Sequence, residues 1–488
     1  MSVRVEPQSI IGAKELRIGT SWVAPVAALF AAFAAIAIQS LWIPLDADVS
    51  WLITVCERVL SGDRLYVDIL ELNPPASVWL YMPFVWLARA IGVRPEAAVA
   101  GAFVAGGLAS AFATLRIARL LDFTLKLPWL AIALPVITLV LPMALFAQRE
   151  HAALLLALPV LATIGVIAAR VPVRTRTVAA SGFAAGLMIA IKPYFVLAVA
   201  IPAAWAMWKR QSLKPFLPGL AAGAGAIALY AAAIILFAPQ YFRWLPVLAL
   251  TYGAIHETLW KLLLGPSFYP AICVGLLFLL RPRRLSPLTM AWLLGGAGFL
   301  LATFAQAKNY PNHWLPGAAL ALAAIAAMLD SPAVERSRKA LVAAGLAAVA
   351  LCEAYHWMIW PDPAVATAIE RVAPARPTII ALSPQLTTGH PVTRNVGGQW
   401  VGSRAGLFTA SGAAYVGLDN PMAKAAYDED VRSFVTDVRL HSPDIILVHH
   451  ASKRWLMREQ SVRHAMTDYR PAADTEETEV WVRKSAGR

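Results

Sequence analysis

Carboxylates with the potential for acid–base chemistry are concentrated in one stretch near the N-terminus, which holds six Asp and Glu residues between positions 41 and 75. Asp46 and Asp48 stand where the first apolar run has ended, and Glu71 precedes an Asn-Pro-Pro turn. A carboxylate that is partly screened from water can have a raised pKa and act as a general base. Outer loops of membrane proteins are also acidic simply because they lack Lys and Arg, and composition alone leaves both interpretations open.

Polar residues that interrupt later apolar sequence form a second set of candidates. They are Gln148, Arg149, Glu150, His151, Lys192, His256, Lys308, Tyr310 and His313. Because positively charged side chains bind phosphate, we expect four of these residues to form a phosphate site: Arg149, Lys192, Lys308 and His313. The others, together with Glu71, are expected to line the same cavity.

Each of these candidates also has an ordinary structural interpretation. Residues 148–151 could form a solvated turn, and Lys192 could extend its amine along the helix to the membrane surface. Tyr310 is a typical interfacial anchor. A lone histidine such as His313 is more often a packed polar residue than a ligand, and His256 could cap a helix. The sequence leaves these alternatives open.

Long apolar runs must position these residues. Of the 488 residues, 59% are hydrophobic and 15% are charged, and the mean hydropathy is +0.61. Runs of about 17–25 apolar residues match the ~30 Å hydrocarbon core of a bilayer and must be helical there, because lipid offers the backbone no hydrogen bonds. The sequence therefore predicts an all-α polytopic membrane module over residues 1–360. Its clearest runs are Trp22–Ile38, Ala97–Leu115, Leu127–Phe146 and Leu217–Ala238.

Basic residues cluster in alternate connections between the apolar runs. By the positive-inside rule these connections lie in the cytoplasm with the N-terminus, whereas the acidic stretch 41–75 lies outside. We expect 11 full spans and one partial or interfacial segment, Ser77–Ile91, although 12 or 13 spans remain open. The basic residues behind the net charge of +13 lie mainly in these short connections and do not form a continuous basic stripe of the kind that binds nucleic acid. No nucleic-acid partner is therefore expected. The predicted location is the bacterial inner membrane.

The composition changes at residue 361. From there to residue 488 the chain has 15 Lys and Arg against 14 Asp and Glu. Loops rich in Gly, Ser and Thr separate short runs typical of β-strands, and one longer stretch favours a helix. These features predict a small soluble α/β domain on the outer side. The expected strands are Thr378–Leu382, Asp444–His449 and Thr478–Val482, and the expected helix is Met422–Arg439.

Familiar catalytic motifs are absent from the sequence. It contains no Walker A loop, GxSxG, HExxH or dinucleotide-binding fingerprint, and its three cysteines form no CxxC pair. An enzyme that used a cytosolic nucleotide sugar would need a soluble nucleotide-binding domain on the inner side. Since the chain offers none, any activated sugar must be available in the membrane.

The order of residues in the acidic stretch resembles a known family. A carboxylate after the first apolar run is followed by Ser61-Gly62-Asp63 and then by Tyr66-x-Asp-x-x-Glu-x-Asn-Pro-Pro. This arrangement is similar to the GT-C membrane glycosyltransferases, especially the bacterial branch related to protein mannosyltransferases and aminoarabinose (lipid A) transferases. The resemblance is strongest over residues 41–92 and continues as shorter matches to about residue 316.

The resemblance implies transfer of a sugar from a polyprenyl-phosphate carrier to a glycan, lipid or protein acceptor on the outer face of the membrane. It implies Asp48 as the general base and Asp46 as the second candidate, although Ala47 separates two acidic residues that are adjacent in the family. The acidic stretch could also hold Mg²⁺ or Mn²⁺ through oxygen ligands. The alternatives are a carrier-using O-antigen polymerase or ligase, and a transporter or flippase of lipid-linked sugars.

Overall fold

The computed structural model describes residues 23–41, 45–121, 128–264, 285–330 and 363–484. Residues up to 330 form helices, and residues 363–484 form a mixed α/β unit. The predicted combination of an all-α membrane module and a C-terminal α/β domain is therefore confirmed.

Six described helices are long and apolar enough to cross a membrane. A helix of about 20 residues covers ~30 Å, which is the thickness of the hydrocarbon core. The prediction of 11 to 13 spans stays a prediction, because residues 265–284 and 331–362 lie outside the described ranges. The six helices are α1 (Val23–Leu41), α5 (Pro95–Ala118), α7 (Arg149–Ala168), α10 (Leu217–Phe237), α13 (Pro287–Gln306) and α14 (Pro311–Asp330).

Shorter helices connect these elements or pack between them. They are α2 (Ala47–Val59), α3 (Ala76–Trp79), α4 (Met82–Ile91), α6 (Pro128–Leu139), α8 (Thr175–Ile191), α9 (Val196–Arg210), α11 (Tyr241–Ala254) and α12 (Leu259–Leu264). The segment expected to be a partial span is indeed divided, into α3 and α4, where Pro83 removes a backbone donor.

Two helical expectations were wrong in detail. The apolar run 127–146 is not one helix: α6 ends at Leu139, and a 3₁₀ turn over Met143–Leu145 follows Pro142. Met143 has a left-handed φ of 45°, which is incompatible with a continuing helix. The connection 239–265 was expected to be a loop but contains α11 and α12, because its aromatic and aliphatic residues pack against neighbouring elements.

Glycines allow the closest helix contact, between α8 and α10. A Cβ atom on Gly182 would lie 1.9 Å from the carbonyl oxygen of Gly219, and one on Gly186 would lie 2.7 Å from that of Gly223. Small residues spaced by four let two helix backbones approach in this way. The contact fixes the C-terminal end of α8, which carries Lys192.

The C-terminal unit contains a five-stranded sheet in the order β2-β1-β3-β5-β4. Its β1–β2 and β1–β3 pairs are parallel, and its β3–β5 and β4–β5 pairs are antiparallel. All three predicted strands and the long helix are present. The strands are β1 (Thr378–Leu382), β2 (Gln399–Trp400), β3 (Ile445–His449), β4 (Tyr469–Asp474) and β5 (Thr478–Arg483). The helices are α15 (Pro363–Val372), α16 (Val392–Asn395), α17 (Phe408–Val416), α18 (Pro421–His441), α19 (His450–Leu456) and α20 (Gln460–Ala465).

The sheet unit packs directly onto helix α2 and the acidic stretch. Trp51 of α2 makes edge contacts with the rings of His390 and Trp400. Arg394 forms ion pairs with Glu57 at 2.6 Å and with Glu96 at 2.7 Å. The two regions therefore share one hydrophobic core, and the C-terminal unit is part of the wall around the candidate site.

Candidate active site

Helix α2 positions the two aspartates at its N-terminus. Asp46 is the N-cap residue, and its side chain accepts hydrogen bonds from the backbone N–H groups of Asp48 (2.8 Å) and Val49 (3.2 Å). Withdrawal from water and the nearby charge of Asp48 raise the pKa of Asp46 to about 7. Asp46 thus supports the first turn of the helix that presents Asp48.

Asp48 pairs with a residue from a different part of the chain. Its carboxylate lies 3.3 Å from Nη2 of Arg149, at the start of α7. The Arg149 side chain is only 7% exposed, whereas that of Asp48 is 31% exposed. Among the described residues, Nε of Arg149 has no hydrogen-bond partner. This guanidinium group can therefore bind a further acceptor beside the carboxylate.

A second charged cluster adjoins this pair. Nζ of Lys192 lies 2.8 Å from Oε1 of Glu150 and 2.8 Å from Nε2 of His313. Glu150 is fully buried, and its Oε2 has no hydrogen-bond partner among the described residues. Lys192 begins a 3₁₀ turn after α8, and His313 lies in the first turn of α14. Residues from three separate helices therefore meet here.

Lys308 extends this positively charged region. Its Nζ donates a hydrogen bond to the backbone oxygen of Tyr252 at 2.7 Å and lies 4.1 Å from the centre of that ring. Burial and the positive charge of Lys192 lower the pKa of Lys308 to about 8. The ring of Tyr310 contacts that of His313 at 5.5 Å, but Tyr310 itself is 41% exposed.

Glu71 forms the side of the site nearest the acidic stretch. It is 2% exposed and accepts hydrogen bonds from Nε1 of Trp51 at 2.5 Å and from the backbone N–H of Asn73 at 2.9 Å. Burial raises the pKa of Glu71 despite the opposing influence of Arg149. Asp48 and Glu71 line the same cavity.

Three sequence candidates have different surroundings. His151 is packed inside the helices: its Nδ1 accepts from Ala147 N at 3.1 Å and its Nε2 donates to Thr138 O at 2.7 Å. Gln148 is buried at the residue before α7, and its Oε1 has no hydrogen-bond partner among the described residues. His256 is exposed, and its side chain makes no hydrogen bond or ion pair with the part of the chain that the structure describes.

Sequence reasoning missed two residues beside the site. Tyr252 of α11 holds Lys308, and Arg404 lines a cavity that also contains Asp48 and Glu71. Both come from segments that the sequence analysis treated as an outer loop and a separate domain. Their local sequences contain no motif that marks them as site residues, and only the folded arrangement brings them here.

Metal-ligand geometry occurs at one place among the described residues. His450, Asp474 and Glu479 have ligand atoms within 4.8 Å of one another. This group lies on the C-terminal sheet, and Lys453 already pairs with Glu479 at 2.6 Å. The carboxylates of the acidic stretch form no comparable group with other described residues. A requirement for Mg²⁺ or Mn²⁺ therefore stays a prediction.

Comparisons with known proteins add information at the level of fold. No family model and no curated protein matches the sequence. Among solved structures, ArnT from Cupriavidus metallidurans bound to undecaprenyl phosphate matches with a TM-score of 0.56 and 12% identity, over 96% of this chain and 99% of ArnT. The chain has the GT-C fold.

ArnT in the apo state supports the same assignment. It matches with a TM-score of 0.52 and 14% identity, over 95% of this chain and 98% of that protein. The fold implied by the resemblance of the sequence motifs to GT-C proteins is therefore confirmed. Together with the long apolar helices, the GT-C fold makes the chain a multi-pass membrane protein.

Proposed function

We propose that this protein is a membrane glycosyltransferase that moves a sugar from a polyprenyl-phosphate carrier to a hydroxyl group of a cell-envelope glycan, lipid or protein. One observation carries the proposal: the Asp48 carboxylate lies 3.3 Å from the buried Arg149, next to the Lys192–Glu150–His313 cluster. A potential proton acceptor thus lies beside basic groups of the kind that bind phosphate. The fold is shared with ArnT, one structure of which contains undecaprenyl phosphate.

The reaction is a single displacement. Asp48 takes the proton of the acceptor hydroxyl, whose oxygen forms a bond to the anomeric carbon of the sugar. The bond between that carbon and the phosphate oxygen breaks, and polyprenyl phosphate leaves with the electron pair. Attack opposite the leaving group inverts the configuration of the anomeric carbon.

The charge balance of the site suits a phosphate leaving group. Arg149, Lys192 and Lys308 supply three basic groups, and Asp48, Glu150 and Glu71 supply three carboxyl groups, two of which lie within ion-pair distance of Arg149 and Lys192. Lys308, which pairs with no carboxylate among the described residues, is the basic group left to bind a phosphodiester. Buried cations that are already held in place stabilise developing negative charge more effectively than mobile ones in water.

The proposed location follows the distribution of basic residues. With the N-terminus in the cytoplasm, the acidic stretch and the C-terminal unit lie on the outer face of the bacterial inner membrane. The hydrogen bond from Leu70 N to Ser403 O, at 2.9 Å, joins the acidic stretch to the C-terminal unit. Because these two parts are in contact, they lie on the same face of the membrane, which supports the proposed location.

The proposal is tested with Asp48→Asn. We expect turnover to fall by roughly 10²–10⁴-fold, the usual contribution of a general base, whereas donor binding is retained because the side chains are nearly isosteric. Release of polyprenyl phosphate by the purified protein in reconstituted vesicles is the measurement. Asp68→Asn is the matched control, since Asp68 lies in the same stretch and its side chain is 38% exposed.

Two results would contradict the proposal. Full activity of Asp48→Asn would show that Asp48 is not the general base. Movement of the lipid-linked sugar across the bilayer, with no release of polyprenyl phosphate by the wild type, would instead indicate a flippase.

A further inference from the structure

A cavity beside Asp48 lies between the acidic stretch and the C-terminal unit. Asp48, Glu71 and Asn73 line one wall, and Arg404 and Thr409 line the opposite wall. Its volume of about 60 Å³ is enough for a few water-sized groups. One edge of a polar ligand therefore fits here, next to the proposed base.

Arg404 is the most distinctive group in this cavity. The residue is 9% exposed, and its guanidinium carbon lies 5.1 Å from the centre of the Trp244 ring. Nη2 donates to Ser433 at 2.9 Å, and Nε lies 3.0 Å from Asp430. Nη1 has no hydrogen-bond partner among the described residues. A guanidinium held on three sides thus keeps unused donors.

The backbone fixes Arg404 relative to the acidic stretch. Leu70 N donates to Ser403 O at 2.9 Å, and Leu70 forms a parallel bridge with Arg404. Glu71 is the next residue after Leu70. The two walls of the cavity are therefore joined by backbone hydrogen bonding, and the position of Arg404 relative to Glu71 does not depend on side-chain contacts alone.

The charges around Arg404 determine which ligand suits the cavity. Asp430 is almost fully buried and pairs with the guanidinium, so the positive charge is already balanced. Asp48 and Glu71 add carboxylates on the opposite wall. An anionic ligand would face these carboxylates, whereas a hydroxyl group can accept a hydrogen bond from the guanidinium and donate one to a carboxylate.

We propose that this cavity is the acceptor subsite and that it binds the hydroxyl groups of a neutral sugar, with Arg404 as the principal donor. The inference rests on the proposed function and narrows it, because it selects a glycan among the acceptors considered. The C-terminal unit then determines which acceptor reaches Asp48.

Sugar binding is measured by saturation-transfer NMR on the detergent-purified full chain. The probes are the methyl glycosides of glucose, galactose and mannose, with glucuronate and glucosamine as charged comparisons. We expect at least one neutral glycoside to bind more tightly than both charged sugars. Arg404→Gln should weaken that binding about tenfold or more, since hydrogen bonds to charged groups contribute this much.

Two further variants separate recognition from folding. Arg404→Gln leaves Asp430 buried and unpaired, so the double variant Arg404→Gln/Asp430→Asn removes both charges and should also lose binding. Arg432→Gln is the matched control, because Arg404 and Arg432 both lie within ion-pair distance of Glu429, at 3.5 and 2.8 Å, but the Arg432 side chain is 68% exposed. It should bind the glycoside as the wild type does.

Three outcomes would contradict the proposed acceptor subsite. These are equal glycoside binding by the wild type and the folded double variant, tighter binding of glucuronate, or no binding of any neutral glycoside. If glycosides bind as expected but the wild type releases no polyprenyl phosphate, the sugar site stands and the transferase proposal fails. If the wild type releases polyprenyl phosphate but binds no glycoside, the transferase proposal is supported and the acceptor subsite is contradicted.

Discussion

Lys308 is a lysine whose surroundings make its charge dependent on pH near neutrality. Its amine donates to Tyr252 O at 2.7 Å, and burial together with Lys192 lowers its pKa to about 8. The amine is therefore protonated at about pH 7 and loses its charge as the pH rises through about 8. A phosphodiester donor keeps the same charge over this range, so a change in its affinity reports on the protein.

We expect donor affinity to fall between about pH 7 and about pH 9 if Lys308 binds the carrier phosphate. Lys308→Arg should retain affinity at the upper end, because arginine stays protonated there. The KM for a polyprenyl-phosphate sugar, measured across this range, checks the prediction. Lys261→Arg, an exposed lysine paired with Glu257, is the control. If KM depends on pH in the same way for the wild type and Lys308→Arg, Lys308 does not bind the carrier phosphate.

At the scale of elements, the start of helix α2 depends on its cap. Asp46 accepts two backbone hydrogen bonds there, at 2.8 and 3.2 Å. Asp46→Ser preserves a capping oxygen, whereas Asp46→Ala removes it at a cost of about 1 kcal/mol. We expect transfer activity to be retained by the first variant and reduced by the second, as steady-state kinetics will show. Loss of activity in Asp46→Ser, with activity retained in Asp48→Asn, would assign the base to Asp46 instead.

The α8–α10 contact gives a second prediction at this scale. Gly182→Ala places a Cβ 1.9 Å from Gly219 O, so the helices must separate. Overpacking of this kind costs about 1–3 kcal/mol, and we expect a lower Tm for the purified protein together with slower transfer, since α8 carries Lys192. Gly225→Ala in α10 meets no atom within 4 Å and should leave the Tm unchanged or raise it. Equal Tm values for the two variants would show that the contact does not limit stability.

For the whole molecule, docking of the C-terminal unit depends on Arg394. Its side chain is 13% exposed and pairs with Glu57 and Glu96. The side chains of Glu57 and Glu96 are 30% and 19% exposed, so removing their partner costs less than the ~3–5 kcal/mol of a fully buried ion pair. We expect Arg394→Gln to speed hydrogen exchange over residues 392–404 and to slow transfer. Lys424→Gln breaks an exposed pair with Asp428 and should change neither. Unchanged exchange in Arg394→Gln would mean that apolar packing alone holds the two parts together.

The sequence by itself determined the membrane helices and the strands of the C-terminal unit. Long apolar runs leave a backbone in lipid no alternative to the helix, and short β-branched runs between turn residues specify Thr378–Leu382 and Ile445–His449. The helix that begins after Asp46 was not predicted, because residues 46–75 were interpreted as an outer loop, although Asp is a preferred N-cap residue. The prediction of one helix over 127–146 was wrong because Pro142 and the left-handed residue Met143 end the helical conformation despite the high hydrophobicity, whereas Pro135 is accommodated inside α6.

Only the tertiary structure decided which polar residues meet. Arg149, Glu150 and His151 are consecutive on α7, and successive side chains on a helix point in different directions. Arg149 therefore reaches Asp48, Glu150 reaches Lys192, and His151 is buried against Thr138 O. Pairs such as Asp48–Arg149, 101 residues apart, depend on how helices pack rather than on local sequence. For the same reason, no local pattern could place Arg404 in the cavity beside Glu71.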